Sequence, residues 1–486
     1  MHPNKMIFQF KNIVIFSFGH RYLYLIILLF IFSGCATKSL KVKSNIPNFA
    51  TPSSYSSQLD ESSSDKDWVS EITNDRILGK LITEVQKNNI DIKKAVNNVG
   101  RAASSARITG SNKFPKFSGG LGGRRNQQAF LGFPFGRNDP QLSKSLYNAF
   151  GLSLDMQWEI DLWGRIKAGQ EAKIAEFEAT LENLQGMQAS LAGQTAKIWF
   201  AILGSRKQLA LAESSLQSFK ESQKLIQNAF DSGNAKASQV YLAASDVKVA
   251  ESLLVERQAQ TRSAVRQLEI MMGRSPSGQI NMAGSLPSMP PPPPPGLPSE
   301  LLLRRTDLRA AERRLAASEK RIKEAWLALL PQISLTGNAG TATESLRYVA
   351  NSSAGVWSLA GRTGAQLFRG GEVLANLKIR KINQSDALLD YEQKFLEALK
   401  DVETCLDNEV VLKNRWLALI EAKKNSVDSY ERASMEYKNG IGTSVNLLLT
   451  QRQMLSVSSQ VLELERMRLE NRVNLHLSLG GTVKKQ

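Results

Sequence analysis

The sequence LENLQGMQASLAGQTAKIWFAILGSRKQLALAESSLQSFKESQKLIQNAFDSG, residues 181–233, decides the fold of this chain. Its apolar and small residues recur with a 3.5-residue period over seven heptads, which predicts a helix packed beside others in a left-handed coil. Pro is absent between Pro140 and Pro276, so nothing interrupts the helix before the turn signal at Asp231-Ser232-Gly233. One seam holds Leu181, Thr195, Ile202, Leu209, Leu216 and Phe230, and the other holds Leu184, Leu191, Ile198, Ala212, Phe219 and Ile226.

The same pattern recurs later in the chain. Gly164, Gly233 and Gly273 are each followed at one constant spacing by another glycine, and the FDSG turn becomes YKNG. We interpret the chain as a tandem duplication. From Gly164 to Gly233 a helix would span about 100 Å at 1.5 Å per residue, so two shorter helices must stack to match one long one. The matching glycines of the second half are Gly371, Gly440 and Gly480.

Each half also contains two extended segments before its long helix. Gly-rich, partly alternating sequence predicts β-hairpins at about residues 114–160 and 331–368, the first with a loop at FLGFPFGRNDP. Four strands cannot close a barrel that leaves no free edge. Copies of the chain must therefore combine, either two copies with eight strands or three copies with twelve, of which only the latter leaves a lumen.

The N-terminus carries an export signal. Lys5, Lys11 and Arg21 precede an apolar run that is too short to cross a membrane as a helix, followed by Cys35. The position of Cys35 resembles a bacterial lipobox, which predicts acylation and a lipid anchor; the alternative is an ordinary signal peptide with an incidental cysteine. The predicted organisation is a signal peptide at 1–34, a lipidated flexible tether at 35–67, a first repeat at 68–285 with helix at 68–110, a Pro-rich connector at 286–298, and a second repeat at 299–486 with helix at 299–330.

Composition argues against several classes of function. The net charge of +17 includes three charges of the signal peptide, which leaves +14, but Lys and Arg are interleaved with Glu along helical patterns, so we expect no nucleic-acid binding. After the signal, the chain keeps only His476 and, besides Cys35, only Cys405. We therefore predict no catalytic residues, no metal site, no cofactor and no disulfide within the chain.

Several motifs resemble one known family. GLPSELLLRRTDLRAAERRLAAS (296–318), LLPQISLTGNAG (329–340), QWEIDLWGRI (157–166) and DYEQKFLEALKDVETCL (390–406) are similar to the TolC-like outer-membrane efflux proteins, in particular to the lipoprotein branch that serves resistance-nodulation-division pumps. The resemblance implies a homotrimer with a shared twelve-stranded β-barrel in outer-membrane lipid and an α-helical tunnel through the periplasm of a Gram-negative bacterium. It also implies an inner-membrane pump and a periplasmic adaptor as partners, and a passive duct for small molecules rather than an enzyme.

The resemblance also suggests where the periplasmic tip lies. Family members commonly place Asp near the two helical turns, whereas this chain has Gln239 and Leu449 at those positions, with Val445 one turn before Leu449. We predict that these three residues form the periplasmic gate and that apolar contact, rather than a ring of acidic residues, mainly holds it closed. The predicted adaptor-contact surface consists of Gly233, Ala235, Ala237, Gly440, Ile441 and Thr443; alternatively, the two glycines serve only as turn residues.

Two other functions remain open from the sequence. The same architecture serves as the exit duct of type I protein secretion systems, and the helices alone would suit a structural periplasmic coiled-coil protein. The exported substrate cannot be read from the residues.

Overall fold

The computed structural model describes residues 52, 54–55, 76–130, 143–279, 284–290, 292, 298–365 and 368–481, all of which belong to one compact unit. The helices are α1 (Arg76–Asn88), α2 (Ile90–Ser111), α3 (Arg165–Asp231), α4 (Ala237–Met271), α5 (Leu301–Arg304), α6 (Thr306–Leu327), α7 (Glu372–Lys438) and α8 (Ser444–Ser478). The strands are β1 (Lys116–Phe130), β2 (Ser143–Ile160), β3 (Gln332–Thr341) and β4 (Gly355–Gly364).

The two long helices match each other in length. Helices α3 and α7 each contain 67 residues, and the helices that follow them, α4 and α8, each contain 35. Both long helices begin after a glycine in the left-handed region, Gly164 with φ 80° and Gly371 with φ 86°. These equal lengths, each counted from an equivalent glycine, support the interpretation of the chain as a tandem duplication.

The four strands form one antiparallel sheet in the order β1-β2-β3-β4. Gly120 lies opposite Ser153, Ser153 opposite Gly340, and Gly340 opposite Val356, so the middle pairing joins the two repeats. The two hairpins lie where the sequence predicts them, and the predicted loop at residues 131–140 lies outside the described residues. Among the described residues, the outer edges of β1 and β4 have no strand partner.

Two predicted helices are interrupted in the structure. The single helix predicted over 68–110 is wrong: α1 ends before Asn89, whose side-chain oxygen accepts hydrogen bonds from the backbone amides of Asp91 and Ile92 and starts α2. An Asn side chain competes for backbone donors in this way and favours a helix start. The helix predicted from Ser299 is likewise divided, because Arg305 adopts an extended conformation between α5 and α6.

The repeats pack on each other mainly through α3. Helix α3 contacts α2 and α4 of its own repeat and α6 and α8 of the other, whereas the main contacts of α7 are with α6 and α8. As a result α3 has 22 buried residues and α7 has 10, although they are equally long. The largest core cluster surrounds Trp199 and Phe200 of α3 and includes residues of α1, α4 and α8.

Candidate channel surfaces at the sheet and at the helical tip

The sheet has one polar and one apolar face over most of its height. Directly opposed residues share a face, and successive residues of a strand alternate between faces. Toward the end of β1 and the start of β2, the otherwise apolar face also carries polar residues, at Arg125 and Asn148. The polar face carries Arg124, Asn126, Gln128, Asp155, Gln157, Glu159, Asn338 and Arg362. The apolar face carries Phe117, Leu121, Leu152, Leu154, Trp158, Leu335, Trp357 and Leu359.

A hydrogen-bonded group on the polar face links the repeats. The Asn338 side-chain amide on β3 donates to Oδ1 of Asp155 on β2 at 2.6 Å, and Ser153 Oγ donates to Oδ2 at 2.9 Å. Both carboxylate oxygens of Asp155 therefore accept a hydrogen bond within the sheet.

The joint between the sheet and α3 is fixed by side chains. Both carboxylate oxygens of Asp161 accept hydrogen bonds from backbone amides of the first helical turn, those of Ile166 and Lys167, at 2.9 and 2.8 Å. Arg165 also forms two hydrogen bonds with Glu159, at 2.7 and 2.9 Å. The joint before α7 is different, because it contains two consecutive residues with positive φ, Gly370 and Gly371.

At the other end of the molecule, two glycines reverse the chain. Gly233 has φ 76° and Gly440 has φ 75°, a region that favours glycine. The amide of Asn234 donates to the Ala229 carbonyl at 2.7 Å, and that of Ile441 donates to the Glu436 carbonyl at 3.0 Å, so each turn closes the end of a long helix. Both glycines therefore act as turn residues.

Two of the predicted tip residues cap the returning helices. The side-chain oxygen of Gln239 accepts the Lys236 amide at 3.0 Å, and Thr443 Oγ1 accepts the Asn446 amide at 3.2 Å. These contacts satisfy backbone donors at the start of each helix, that of the N-cap residue Lys236 in one case and that of Asn446 in the first turn in the other. Gln239, predicted as a gate residue, thus lies in the first turn of α4, and its side chain accepts the amide of the N-cap residue Lys236.

The apolar residues of the second tip turn face away from the chain's own core. Ile441 is 80 % exposed, Val445 53 % and Leu449 60 %, and the latter two lie one turn apart on α8. Ala237 is exposed and Ala235 half-buried in the first turn. Beneath these surfaces Ile226, Ala243 and Leu448 form a buried cluster that joins the two turns.

An ion pair that was not predicted from the sequence lies above this cluster. Asp246 of α4 is buried, and its Oδ2 lies 3.3 Å from Nε of Arg452 on α8, an ion-pair distance without hydrogen-bond geometry. Burial raises the pKa of Asp246, an effect that Arg452 opposes. An Asp at a buried position of a helix rich in Ala and Val could have signalled this contact.

A polar cluster that was not predicted from the sequence lies at mid-height, where the connector crosses the helices. Arg472 of α8 is 3 % exposed and binds Glu409 of α7, which is 8 % exposed, with Nη2 at 2.7 Å from Oε2. Asn471 donates to the same carboxylate at 2.8 Å, and Arg472 donates to the Pro290 carbonyl at 2.6 Å. This cluster fastens the Pro-rich connector to the second repeat.

One residue of the predicted tether packs into the core. Tyr55 is buried among residues of the second repeat that include Leu308, Phe395 and Leu475. Burial and the nearby Glu403 raise the pKa of Tyr55 to about 12. Apart from residues 52, 54 and 55, the tether and Cys35 lie outside the described residues.

The few residues with potential for metal or redox chemistry are buried. Burial raises the pKa of the Cys405 thiol, and burial with Arg472 lowers the pKa of His476 to about 4, so the imidazole is neutral at pH 7. Within the described ranges no three or more His, Cys, Asp or Glu side chains are placed to hold a metal ion. In the same ranges, no helix has both the length and the apolar character needed to span a membrane.

Comparison with known proteins agrees with this geometry. A sequence model of the outer membrane efflux protein family matches residues 81–274 and 297–481. The toluene efflux pump outer membrane protein TtgF of Pseudomonas putida is 28 % identical over 414 residues, covering 84 % of each chain. The cation efflux system protein CusC of Escherichia coli is 26 % identical over 410 residues, covering 82 % of this chain and 85 % of CusC. The solved structure of the outer-membrane channel OprN superposes with a TM-score of 0.79 at 25 % identity, covering 90 % of this chain and 99 % of that chain.

Proposed function

This chain belongs to the outer membrane efflux protein family, and from that premise we propose that it works as a homotrimeric duct which carries small molecules from an inner-membrane pump to the cell exterior. The family is one of outer-membrane transport channels rather than enzymes, and the chain is an outer-membrane efflux protein.

One observation carries the proposal. The four-stranded sheet has a polar and an apolar face, ends in two unpaired edges within the described residues, and stands on helices about 100 Å long. An open edge cannot face hydrocarbon, because each unpaired backbone group would cost several kcal/mol there. Three copies supply twelve strands, whose apolar faces meet lipid and whose polar faces, with Asp155 and Arg362, line a lumen.

The tip supports the proposed gate and adaptor surface. Val445 and Leu449 are exposed on one side of α8, so three copies could bring six apolar side chains to a constriction, with Gln239 near its rim. Gly233, Ala235, Ala237, Gly440, Ile441 and Thr443 surround the two turns and offer small or exposed side chains to a helical hairpin of a periplasmic adaptor. An energised inner-membrane pump, of the resistance-nodulation-division type, would deliver the substrate.

We further propose that Cys35 is acylated and anchors the mature chain in the outer membrane. Its support is the sequence alone, since Cys35 lies outside the described residues. The names of similar proteins refer to toluene in one case and to cations in another. Substrate class should therefore be determined by export assays in a strain that lacks its own outer-membrane channel.

Conductance in planar bilayers tests the duct directly. Purified full-length protein should form trimers that conduct ions. Leu359→Asp, on the apolar face of β4, should abolish insertion because a charge would face lipid. The matched variant Ser358→Asp, on the polar face, should insert and change cation selectivity. Trimers without conductance would favour a structural coiled-coil protein, and export of a polypeptide rather than small molecules would favour a type I secretion duct.

A second experiment tests the tip. Leu449→Asp should introduce block of single-channel current by divalent cations, because three carboxylates would face one another in the gate. Asn446→Asp adds the same charge one turn away and serves as the control; equal block in both variants, or none in either, would contradict the gate assignment. Ile441→Trp and Ala237→Trp should stop efflux with the trimer intact, whereas loss of the trimer would assign these residues to folding alone.

A further inference from the structure

A basic cavity of about 580 Å³ lies at the joint between the sheet and α3. We propose that it binds the phosphate of an anionic phospholipid in the periplasmic leaflet of the outer membrane, an inference that rests on the proposed insertion of the sheet into that membrane. Its lysines come from the end of α2, from α3 and from α6. The charged residues that line the cavity are Lys113, Lys167, Lys320, Lys323, Asp161 and Glu171.

The contacts of the joint indicate on which side of the sheet the cavity opens. Trp158 belongs to the apolar face, and its Nε1 donates to the Lys113 carbonyl at 2.9 Å. Arg165 of α3 lies on the other side, where it binds Glu159 of the polar face. Lys167 follows Arg165 by two residues, about 200° around the helix, so its side chain points away from the polar face. The cavity therefore opens on the lipid side of the proposed barrel.

The carboxylates of the cavity already have partners, whereas two of its lysines do not. Both oxygens of Asp161 accept backbone amides of α3, and Glu171 forms an ion pair with Lys320 at 2.9 Å. In the part of the chain that the structure describes, the exposed ammonium groups of Lys167 and Lys323 have neither a hydrogen-bond nor an ion-pair partner. Four lysines against two carboxylates give the lining a net charge of +2. This charge suits an anionic phosphate diester.

The rim of the cavity is apolar. Leu162 is 59 % exposed and Trp163 is 45 % exposed. Nε1 of Trp163 donates to the Pro331 carbonyl at 2.7 Å, so the polar atom of the indole is satisfied while its ring remains at the surface. Trp is enriched at membrane–water interfaces because it combines an apolar ring with a polar atom. An acyl chain can therefore contact the rim while its phosphate contacts the lysines.

The second joint supports the same position of the membrane surface. The repeat shift, which is the step along the chain that carries Gly164 onto Gly371, leads from Lys167 to Leu374, which is 66 % exposed. Phe368, three residues before Gly371, is 87 % exposed. Both joints thus expose large apolar side chains, as expected where protein meets the boundary of a bilayer. At the first joint, this apolar surface borders the lysine-lined cavity.

The charge of the tether argues against the tether itself as the occupant. Between Cys35 and Tyr55 the chain contains Lys38, Lys41 and Lys43 and neither Asp nor Glu. Like charges would oppose its entry into a lysine-lined cavity. A lipid phosphate has the opposite charge, and its acyl chains match the adjoining apolar face.

Lipid retention by the full-length trimer tests the site. Native mass spectrometry of protein released from a mild detergent counts the bound phospholipids, and titration with phosphatidylglycerol gives an apparent Kd. Lys167→Gln with Lys323→Gln should weaken binding about 25-fold, because each lysine near an anionic lipid contributes about fivefold. Lys167→Arg with Lys323→Arg keeps both charges and should retain the lipid.

The matched control removes two positive charges from the polar face at the same end of the sheet. Lys116 lies opposite Gln157, and Arg362 lies opposite Ser334. Lys116→Gln with Arg362→Gln should bind phosphatidylglycerol as the parent does, because these side chains face the proposed lumen. Both double variants should assemble as trimers on native gels.

Three further probes separate the possible sources of binding in the parent protein. Phosphatidylglycerol should bind several-fold more tightly than phosphatidylethanolamine, whose headgroup has no net charge, and diacylglycerol, which lacks the phosphate, should not bind. Glycerol 3-phosphate at the same concentration should not displace the lipid, because it has no acyl chains. If it does, the cavity is a site for soluble phosphates and the proposal is wrong.

The remaining outcomes separate this inference from the proposed function. If the parent conducts in bilayers but retains no phosphatidylglycerol, or if both glutamine double variants lose it equally, the lipid site is wrong while the duct stands. Binding that arises only after deletion of residues 36–50 would assign the cavity to the tether. If the parent neither assembles as a trimer nor conducts, the proposed function itself fails.

Discussion

The two long helices have the same length and start at the same kind of glycine, yet they have different surroundings. Helix α3 is covered by helices of both repeats, while α7 leaves one face open and has fewer than half as many buried residues. The two repeats thus share the same backbone lengths and differ in the environment of equivalent positions. Burial in this chain is therefore set by which neighbours are present, and a comparison of equivalent positions in the two repeats can test this.

The largest effect on stability is expected at the buried ion pair, where the two repeats hold different residues at equivalent positions. Glu409 and Arg472 occupy the positions that hold Ile202 and Val265 in the first repeat. Arg472→Val alone should lower the free energy of unfolding by about 3–5 kcal/mol, because Glu409 would remain buried and unpaired. Adding Glu409→Ile should recover most of that loss, because the pair would then match the first repeat. Thermal midpoints in detergent measure both; a double variant as unstable as the single one would show that the Pro290 contact dominates.

Lowering the pH should destabilise the second repeat before the first. The pKa of His476 is about 4 in the folded chain and near 6.5 in the unfolded one. The unfolded state therefore binds more protons between these values, and the stability present above pH 6.5 is lost as the pH falls, by about 1.4 kcal/mol per unit and about 3 kcal/mol in total.

The equivalent residue of the first repeat provides the contrast. Hydrogen bonds from Ser277 and Gly278 lower the pKa of Glu269, so its contribution is lost only below its usual pKa of 4.5. Thermal midpoints measured from pH 7 to pH 4 should fall in the parent protein and much less in His476→Gln. Equal slopes would show that another group titrates.

Exchanging one residue between the long helices should have an intermediate effect. Ala175 of α3 is 0 % exposed and its equivalent on α7, Ile382, is 51 % exposed. Ala175→Ile should destabilise the protein by about 1–3 kcal/mol through overpacking. Ile382→Ala should change the stability of the protomer by no more than about 0.5 kcal/mol, but it should reduce the fraction of trimer if a second copy covers α7. Thermal midpoint and trimer fraction, measured in parallel, separate these effects.

The smallest effects should come from the tip turns, where the repeats are alike. Nothing lies within 4 Å of a Cβ added to Gly233 or Gly440, so alanine there would suffer only from the positive φ. Each Gly→Ala variant should cost about 1 kcal/mol, and the two costs should be equal. A clearly larger thermal shift for one of them would show that its turn contacts something further in the assembled protein.

The sequence was informative wherever a pattern repeats over many residues. The heptads of α3 and α7 and the alternating strands are visible because each pattern extends over many positions, and the paired glycines are visible because a positive φ allows few other residues. The helix ends at Gly233 and Gly440 were therefore predicted correctly, as were both hairpins.

Features that depend on single contacts could not be predicted. The break at Asn89 depends on one side chain that caps α2 and donates to the Met271 carbonyl, far away in sequence. Arg472 is one of several charged residues on α8, and no periodicity indicates which of them is buried. Tyr55 stands in a polar segment whose composition is typical of a linker, so its place in the core depends on an apolar site formed by the second repeat.

The unequal joints between sheet and helices have a mechanical consequence. Asp161 binds the first turn of α3 through both carboxylate oxygens, which makes that connection stiff, while Gly370 and Gly371 allow wide rotation about their backbone bonds before α7. Bending of the long rods relative to the membrane therefore costs least at the second connection of each copy. In the proposed ring of three copies, compliant and rigid attachments would alternate around the circumference, so the lower end could twist while every other rod held its angle to the bilayer.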